Sequence, residues 1–189
     1  GAGKSTIPKP IHMAERPTAG EVRVSGYSSS SIRPKEISLL RRKIGYVFQD
    51  FRLLQDRTAA ENIAFALEVT GARATVIRSK VGKLLGQVGL SSKSEKLPSE
   101  LSGGEQQRIA VARALANDPL VLLGDEATGN LDERATTGIF DLFRNINQSG
   151  TAVLFATHDL ELVRRHPELR VIELDHGSIV YDSAMERAE

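Results

Sequence analysis

The chain contains no cysteine. That absence excludes disulfides, thiolate zinc sites and cysteine nucleophiles together, and it fits a reducing compartment. No apolar run approaches the roughly 20 residues that a membrane-spanning helix needs. An excess of one charge is missing as well. The 25 Lys and Arg stand against 24 Asp and Glu, a formal net charge of +1. Such a balance gives no case for a nucleic-acid or membrane-surface binder. There are no internal repeats and no low-complexity linker. What remains, 40% apolar and 26% charged residues over 189 positions, is ordinary for one globular domain with a real core.

Strand and helix signals alternate along that domain. Glu21–Ser25 alternates with period two and Ile44–Phe48 is a short apolar run, so both are expected as strands. Ser28–Ser31 is expected as a polar loop and Pro34–Arg42 as a short helix. From about 58 to 118 the pattern is mostly helical. Thr58 and Glu61 have capping-box spacing, and Ile63, Ala66, Leu67 and Thr70 follow on one face, a stripe expected to be internal core. Lys80–Val88 and Ser102–Asn117 give two further helices. Leu120–Leu123 and Ala152–Ala156 look like strands buried on both faces. Between them Asp132 caps a helix whose Ala135, Ile139, Leu142, Phe143 and Ile146 recur at helical spacing, with Gly150 as its stop. Val171–Leu174 and Ile179–Tyr181 flank a Gly-containing turn, which predicts a hairpin. The alternation predicts an α/β sheet.

Three segments carry chemistry. Gly1-Ala2-Gly3-Lys4-Ser5-Thr6 matches the closing half of a phosphate-binding loop. In such a loop backbone N–H groups wrap phosphate oxygens, the Lys reaches the β- and γ-phosphates and the hydroxyl meets Mg²⁺. By itself it reads equally as a flexible glycine-rich end. The motif's first Gly and the strand that feeds it are expected upstream of Gly1. Pro8 and Pro10 then fall where a second helical turn should run, and an interior Pro costs about 3 kcal/mol, so an interrupted helix is expected.

Leu101-Ser102-Gly103-Gly104-Glu105-Gln106-Gln107-Arg108 is the most specific segment. Ser102 and Glu105 form a capping box ahead of a helix start bared by two glycines, which suits an anion. In Leu120-Val121-Leu122-Leu123-Gly124-Asp125-Glu126 an acidic pair closes a buried strand. Ligands of open α/β sheets gather at such ends. Asp125 suits Mg²⁺ and Glu126 suits the polarisation of a water. An isolated Asp-Glu, or His158 after Ala156-Thr157, would also read as a solvated strand end. Their convergence on one phosphate site is what distinguishes them.

In this order and spacing, these residues resemble the nucleotide-binding domain of ABC ATPases over nearly the whole chain. Leu101–Arg108 resembles the family's signature motif and Leu120–Glu126 its Walker B strand. Gln49 resembles the Q-loop, Gly129–Asp132 the D-loop and His158 the switch histidine. Leu40–Gly45, Phe48–Leu54 and Thr58–Leu67 are similar to the cell-division branch, whose near relatives serve lipoprotein release and macrolide export. The departures are Gly124 and Ala127, where the family usually has Ala and Pro, and the segment Ile7–Met13. The family's adenine-stacking aromatic is expected upstream.

The resemblance implies a P-loop NTPase α/β fold. It has a RecA-like core sheet and a helical subdomain at about 50–115, all within one domain over 1–189. It implies ATP and Mg²⁺ as cofactors, bound in a head-to-tail homodimer. Gly1, Ala2, Gly3, Lys4, Ser5 and Thr6 would hold the phosphates. Ser5, Gln49 and Asp125 would hold the metal. Glu126, His158 and Gln49 would serve catalysis, and Ser102, Gly103, Gly104 and Gln106 would close on the partner's nucleotide. An integral membrane subunit would hold the chain at the cytoplasmic face of the plasma membrane, with no nucleic-acid partner. An export ATPase shares every one of these residues, and a non-hydrolysing copy is the remaining alternative.

Overall fold

A computed structural model describes residues 7–186 of the chain. The phosphate-loop residues Gly1, Ala2, Gly3, Lys4, Ser5 and Thr6 lie outside them. The first element is a single turn, α1 (Pro8–Ile11). Its prolines fall in the first turn, where N–H groups lack an intrahelical acceptor and proline is tolerated. The expected interruption is therefore a very short helix. Two-residue strands β1 (Arg23–Val24) and β2 (Tyr27–Ser28) pair antiparallel, so Ser28 is in a strand rather than a loop. Then follows α2 (Pro34–Arg42).

The centre of the molecule is a three-stranded parallel sheet of β3 (Ile44–Phe48), β4 (Val121–Asp125) and β5 (Ala152–Ala156), in the order β3-β4-β5. Phe48 pairs with Asp125 and Asp125 with Ala156, so all three strands end level. The next residues, Gln49, Glu126 and Thr157, leave the sheet side by side. Strand pleating sends Gly45, Val47 and Leu122 to one face and Ile44, Tyr46 and Leu123 to the other. The first face joins the main apolar cluster with Ile63, Ile109 and Phe143. The second packs Leu40, Ile32 and Met13. β5 was expected buried on both faces. It is instead an edge strand among the described residues, with Ala152 and Leu154 exposed.

Helices α3 (Ala59–Glu68), α4 (Ala74–Gln87) and α5 (Gly103–Leu115) follow β3. α4 begins six residues before the predicted Lys80, with Arg73 in extended backbone at its N-cap. Ile63 and Leu67 are buried, as the stripe predicts. α5 lies against the sheet so closely that a Cβ on Gly45 would stand 2.7 Å from the Ala114 carbonyl oxygen. α6 (Glu133–Gln148) buries Ile139, Leu142, Phe143 and Ile146 against β4 and β5. A short α7 (Leu160–Arg164), unforeseen in the sequence, is capped by Asp159. The predicted hairpin is β6 (Ile172–Asp175) and β7 (Ser178–Asp182), and α8 (Ser183–Glu186) closes the described chain. The hairpin turn is His176-Gly177, both at positive φ (46° and 82°), the two-residue geometry that matches strand twist.

Candidate functional site

The level strand ends make the site. Asp125 is the last residue of β4. Its Oδ2 accepts a hydrogen bond from the Tyr46 hydroxyl at 3.0 Å, across the β3–β4 ladder. Its Oδ1 is buried and has no partner among the described residues. Burial, and then the bond to Asp125, pushes the Tyr46 phenol well above the ordinary tyrosine range. Tyr46 is therefore a fixed neutral donor, and one oxygen of Asp125 is left for something else. An unsatisfied buried acceptor is costly, and a hydrated divalent cation would remove that cost. Among the described residues no three His, Cys, Asp or Glu cluster as a metal cage. Mg²⁺ needs none, because it binds through one or two carboxylates together with phosphates and water.

Glu126 follows at φ +49°, a left-handed conformation that costs a non-glycine residue on the order of 1–3 kcal/mol. Two bonds hold it there. Its N–H donates to the Ala156 carbonyl at 3.0 Å, and its carbonyl accepts from Gly129 N–H at 2.9 Å. The chain thus turns sharply off β4, and the Glu126 side chain enters a cleft of about 530 Å³. Thr128, Gly129, Leu131, Thr136, Thr157 and His158 also line that cleft. His158 Nδ1 stands 3.6 Å from Glu126 Oε2, too far for a good hydrogen bond but beside it across the opening. The His158 loop is set by Asp159, whose N–H donates to Thr157 Oγ1 while its Oδ1 accepts from Leu162 N–H.

Gln49 follows β3 directly. Its Nε2 donates to Asn130 Oδ1 and the Asn130 amide donates back to the Gln49 carbonyl, both at 3.3 Å. A Cβ on Gly129 would lie 2.8 Å from Gln49 Nε2, so glycine there is what lets the carboxamide cross to Asn130. The structure therefore brings Gln49 onto the loop after Glu126 and not onto Asp125.

Ser102 caps α5 in the way its spacing predicts. Its Oγ accepts from Glu105 N–H at 3.3 Å, and Glu105 Oε2 accepts from Ser102 N–H at 2.9 Å. The Ser102 N–H bond is the main reason the Glu105 carboxyl sits below its ordinary range. Gly103 and Gly104 pack on Leu131 and Ala135. The Gln106 amide turns back to the Leu101 carbonyl at 3.1 Å. Ser102, Gly103, Gly104 and Gln106 are not among the residues lining the Glu126–His158 cleft. Three residues were given no individual role from the sequence: Tyr46, Asn130 and Gln107. Asn130 and Gln107 stood only as members of the D-loop and signature segments, and Tyr46 carried a local signal, since a tyrosine inside a short apolar strand needs a partner for its hydroxyl.

The ABC transporter family model matches residues 1–129. The cell division ATP-binding protein FtsE of Mycobacterium tuberculosis is 52% identical over 182 residues, covering 96% of this chain and 79% of that protein. The FtsE of Bacillus subtilis is 45% identical over 184 residues, covering 97% and 80%. Among solved structures, the dimeric post-hydrolysis state of the ATP-binding cassette MJ0796 with ADP and Pi superposes with a TM-score of 0.83 at 34% identity. It covers 96% of this chain and 80% of that one. CbiO1 of Clostridium perfringens, part of the ABC transporter complex cbiONQ, superposes at 0.88 and 26% identity, covering 99% and 74%.

Proposed function

The chain belongs to the ABC transporter ATP-binding family, and we propose that it is the ATP-hydrolysing subunit of an FtsE-type complex in bacterial cell division. The observation that carries the reading is the register of the sheet. It sets Asp125, Glu126 and the His158 loop at one edge, with one Asp125 oxygen unsatisfied and Glu126 and His158 facing each other at 3.6 Å. Identity near one half to cell-division proteins over almost the whole chain sets the branch.

In this reading Lys4 and the backbone of Gly1, Ala2, Gly3, Ser5 and Thr6 hold the ATP phosphates. Asp125, Ser5 and Gln49 would hold Mg²⁺. When bound, the ion neutralises charge on the β- and γ-phosphates. Glu126 orients the attacking water, its place fixed by the left-handed turn. His158 contacts the γ-phosphate. Ser102, Gly103, Gly104 and Gln106 act on the nucleotide of a second copy, consistent with their place outside the cleft lining. α3 to α5 form the helical subdomain that carries closure to an integral membrane subunit of the FtsX type. Among the described residues no helix is long and apolar enough to cross a membrane. That subunit would hold the chain at the cytoplasmic face of the plasma membrane.

The test is Glu126→Gln. MgATP binding is expected to persist while hydrolysis falls by about 10²-fold or more, the scale of a lost general base. Steady-state hydrolysis at the unsubstituted rate would remove Glu126 from this role.

A further inference from the structure

Gln107 lies midway along α5 and is fully buried. Its Nε2 donates to the Phe48 carbonyl at 3.2 Å and to the Ala127 carbonyl at 2.6 Å. Phe48 immediately precedes Gln49 and Ala127 immediately follows Glu126. One carboxamide nitrogen thus ties together the backbone at both catalytic positions. Its orientation is forced, since the flipped amide would set Oε1 against two carbonyl oxygens. Oε1 is left buried with no partner among the described residues. Packing alone would favour an apolar side chain there, so the amide is kept for what its nitrogen holds.

Two turns further on, Arg113 grips the other side of Gln49. Its guanidinium donates to the Phe51 carbonyl at 2.8 Å and to the Arg52 carbonyl at 2.6 Å. Phe51 and Arg52 are both left-handed, at φ +56° and +49°. Consecutive non-glycine residues keep such backbone only where the surroundings impose it. The Phe51 ring meets α5 a second time, because a Cβ on Gly103 would lie 3.7 Å from its Cζ. Helix α5 therefore holds the chain before Gln49, after Gln49 and after Glu126.

We propose that Gln107 and Arg113 are positioning residues through which the seating of the α5 N-terminus on one nucleotide sets Gln49 and Glu126 at the other. A helix of 13 residues moves as a unit, so a displacement at Ser102 reaches both grips. Two sites of a dimer are coupled when one rigid element serves both. The inference rests on the sandwich reading above, in which the α5 N-terminus closes the partner's site.

The experiment uses Gln107→Met, which keeps length and removes both donors, and Arg113→Lys, which keeps the charge and loses the two-pronged grip. Each is assayed for kcat, for the Kd of MgATP and for the Hill coefficient in ATP. Each is also combined with Glu126→Gln and assayed for ATP-dependent dimerisation by light scattering. Expected for both are a kcat lowered at least tenfold, a Kd within about twofold, retained ATP-dependent dimers and a Hill coefficient reduced toward one. A Gln107→Met protein that melts earlier while its folded fraction keeps full kcat and cooperativity overturns the proposal, because that is a packing role only. Should Gln107→Met not fold, Arg113→Lys decides alone on the same criteria. If Glu126→Gln by itself forms no dimer with ATP, the sandwich reading falls, and the proposal with it. A dimer that forms while both variants hydrolyse normally sinks the proposal and leaves that reading standing.

Discussion

The Tyr46 hydroxyl and Asp125 Oδ2 are 3.0 Å apart, and the other oxygen of that carboxylate is buried without a partner among the described residues. One residue thus fixes the rotation of the acid while leaving its second oxygen available. Groups that orient a metal ligand typically contribute 10–100-fold to metal affinity or activity. Tyr46→Phe keeps the ring, which stacks on Phe48 at 4.2 Å between centroids, and removes only the donor. The Mg²⁺ concentration for half-maximal ATPase activity should rise by about tenfold, with the Kd for metal-free nucleotide unchanged. A metal titration of both proteins checks this. Identical curves would mean that Asp125 is held by the backbone alone.

The same bond predicts an alkaline limit. Burial, and then Asp125, keeps the Tyr46 phenol protonated in the folded chain above its unfolded value of about 10. A group whose folded pKa is raised stabilises the fold below the unfolded pKa, and that stability is lost as pH rises through the folded value. Urea midpoints should therefore fall as pH rises past about 10, and fall less steeply in Tyr46→Phe. In an ultraviolet titration one of the three tyrosines should ionise after the others, and it should be absent from the variant.

How far the sequence led can be judged from the same residues. The positions of Asp125 and Ser102 were legible because Asp125 closes β4 and Ser102 caps α5, where period and cap reveal the place. Glu126 and His158 lie just past strand ends, and only the family resemblance singled them out. The capping box of Ser102 and Glu105 followed from local pattern, whereas the level ends of β3, β4 and β5 depend on pairing between distant segments. Tyr46–Asp125, Gln49–Asn130 and Gln107–Ala127 were not legible, because each joins residues 20 to 81 apart. Such pairs depend on which strands become neighbours, and hydrophobic period carries no record of that. The exposure of β5 was missed for a related reason. An apolar run looks the same in a central strand and at an edge.

Ser102 has a structural and a proposed functional role, and substitution can separate them. Its hydroxyl caps α5, so Ser102→Ala should cost about 1 kcal/mol and leave ATP-dependent dimerisation in place. Ser102→Asp keeps a capping oxygen but sets a negative charge where the partner's phosphates would sit. Ser102→Arg fills that space. Both should abolish the ATP-dependent dimer of Glu126→Gln while monomers bind nucleotide with unchanged Kd. If Ser102→Arg dimerised with the affinity of its parent, α5 would not meet the partner's nucleotide.

Gly124 has a packing reason in this chain. A Cβ there would stand 2.9 Å from Phe155 Cδ2 and 3.2 Å from two atoms of the Phe143 ring. Those rings meet edge to face at 5.0 Å between centroids, and the buried Phe143 limits how far the half-buried Phe155 can shift. Overfilling a packed core costs about 1–3 kcal/mol. Losing a glycine from the unfolded chain returns about 0.4–1 kcal/mol. Gly124→Ala should therefore destabilise by up to about 2.6 kcal/mol in urea unfolding, from the difference of those two effects. In a Phe155→Leu background the methyl finds room, and the same substitution should be neutral or stabilising. Equal losses in both backgrounds would show that the rings are not what keeps residue 124 a glycine.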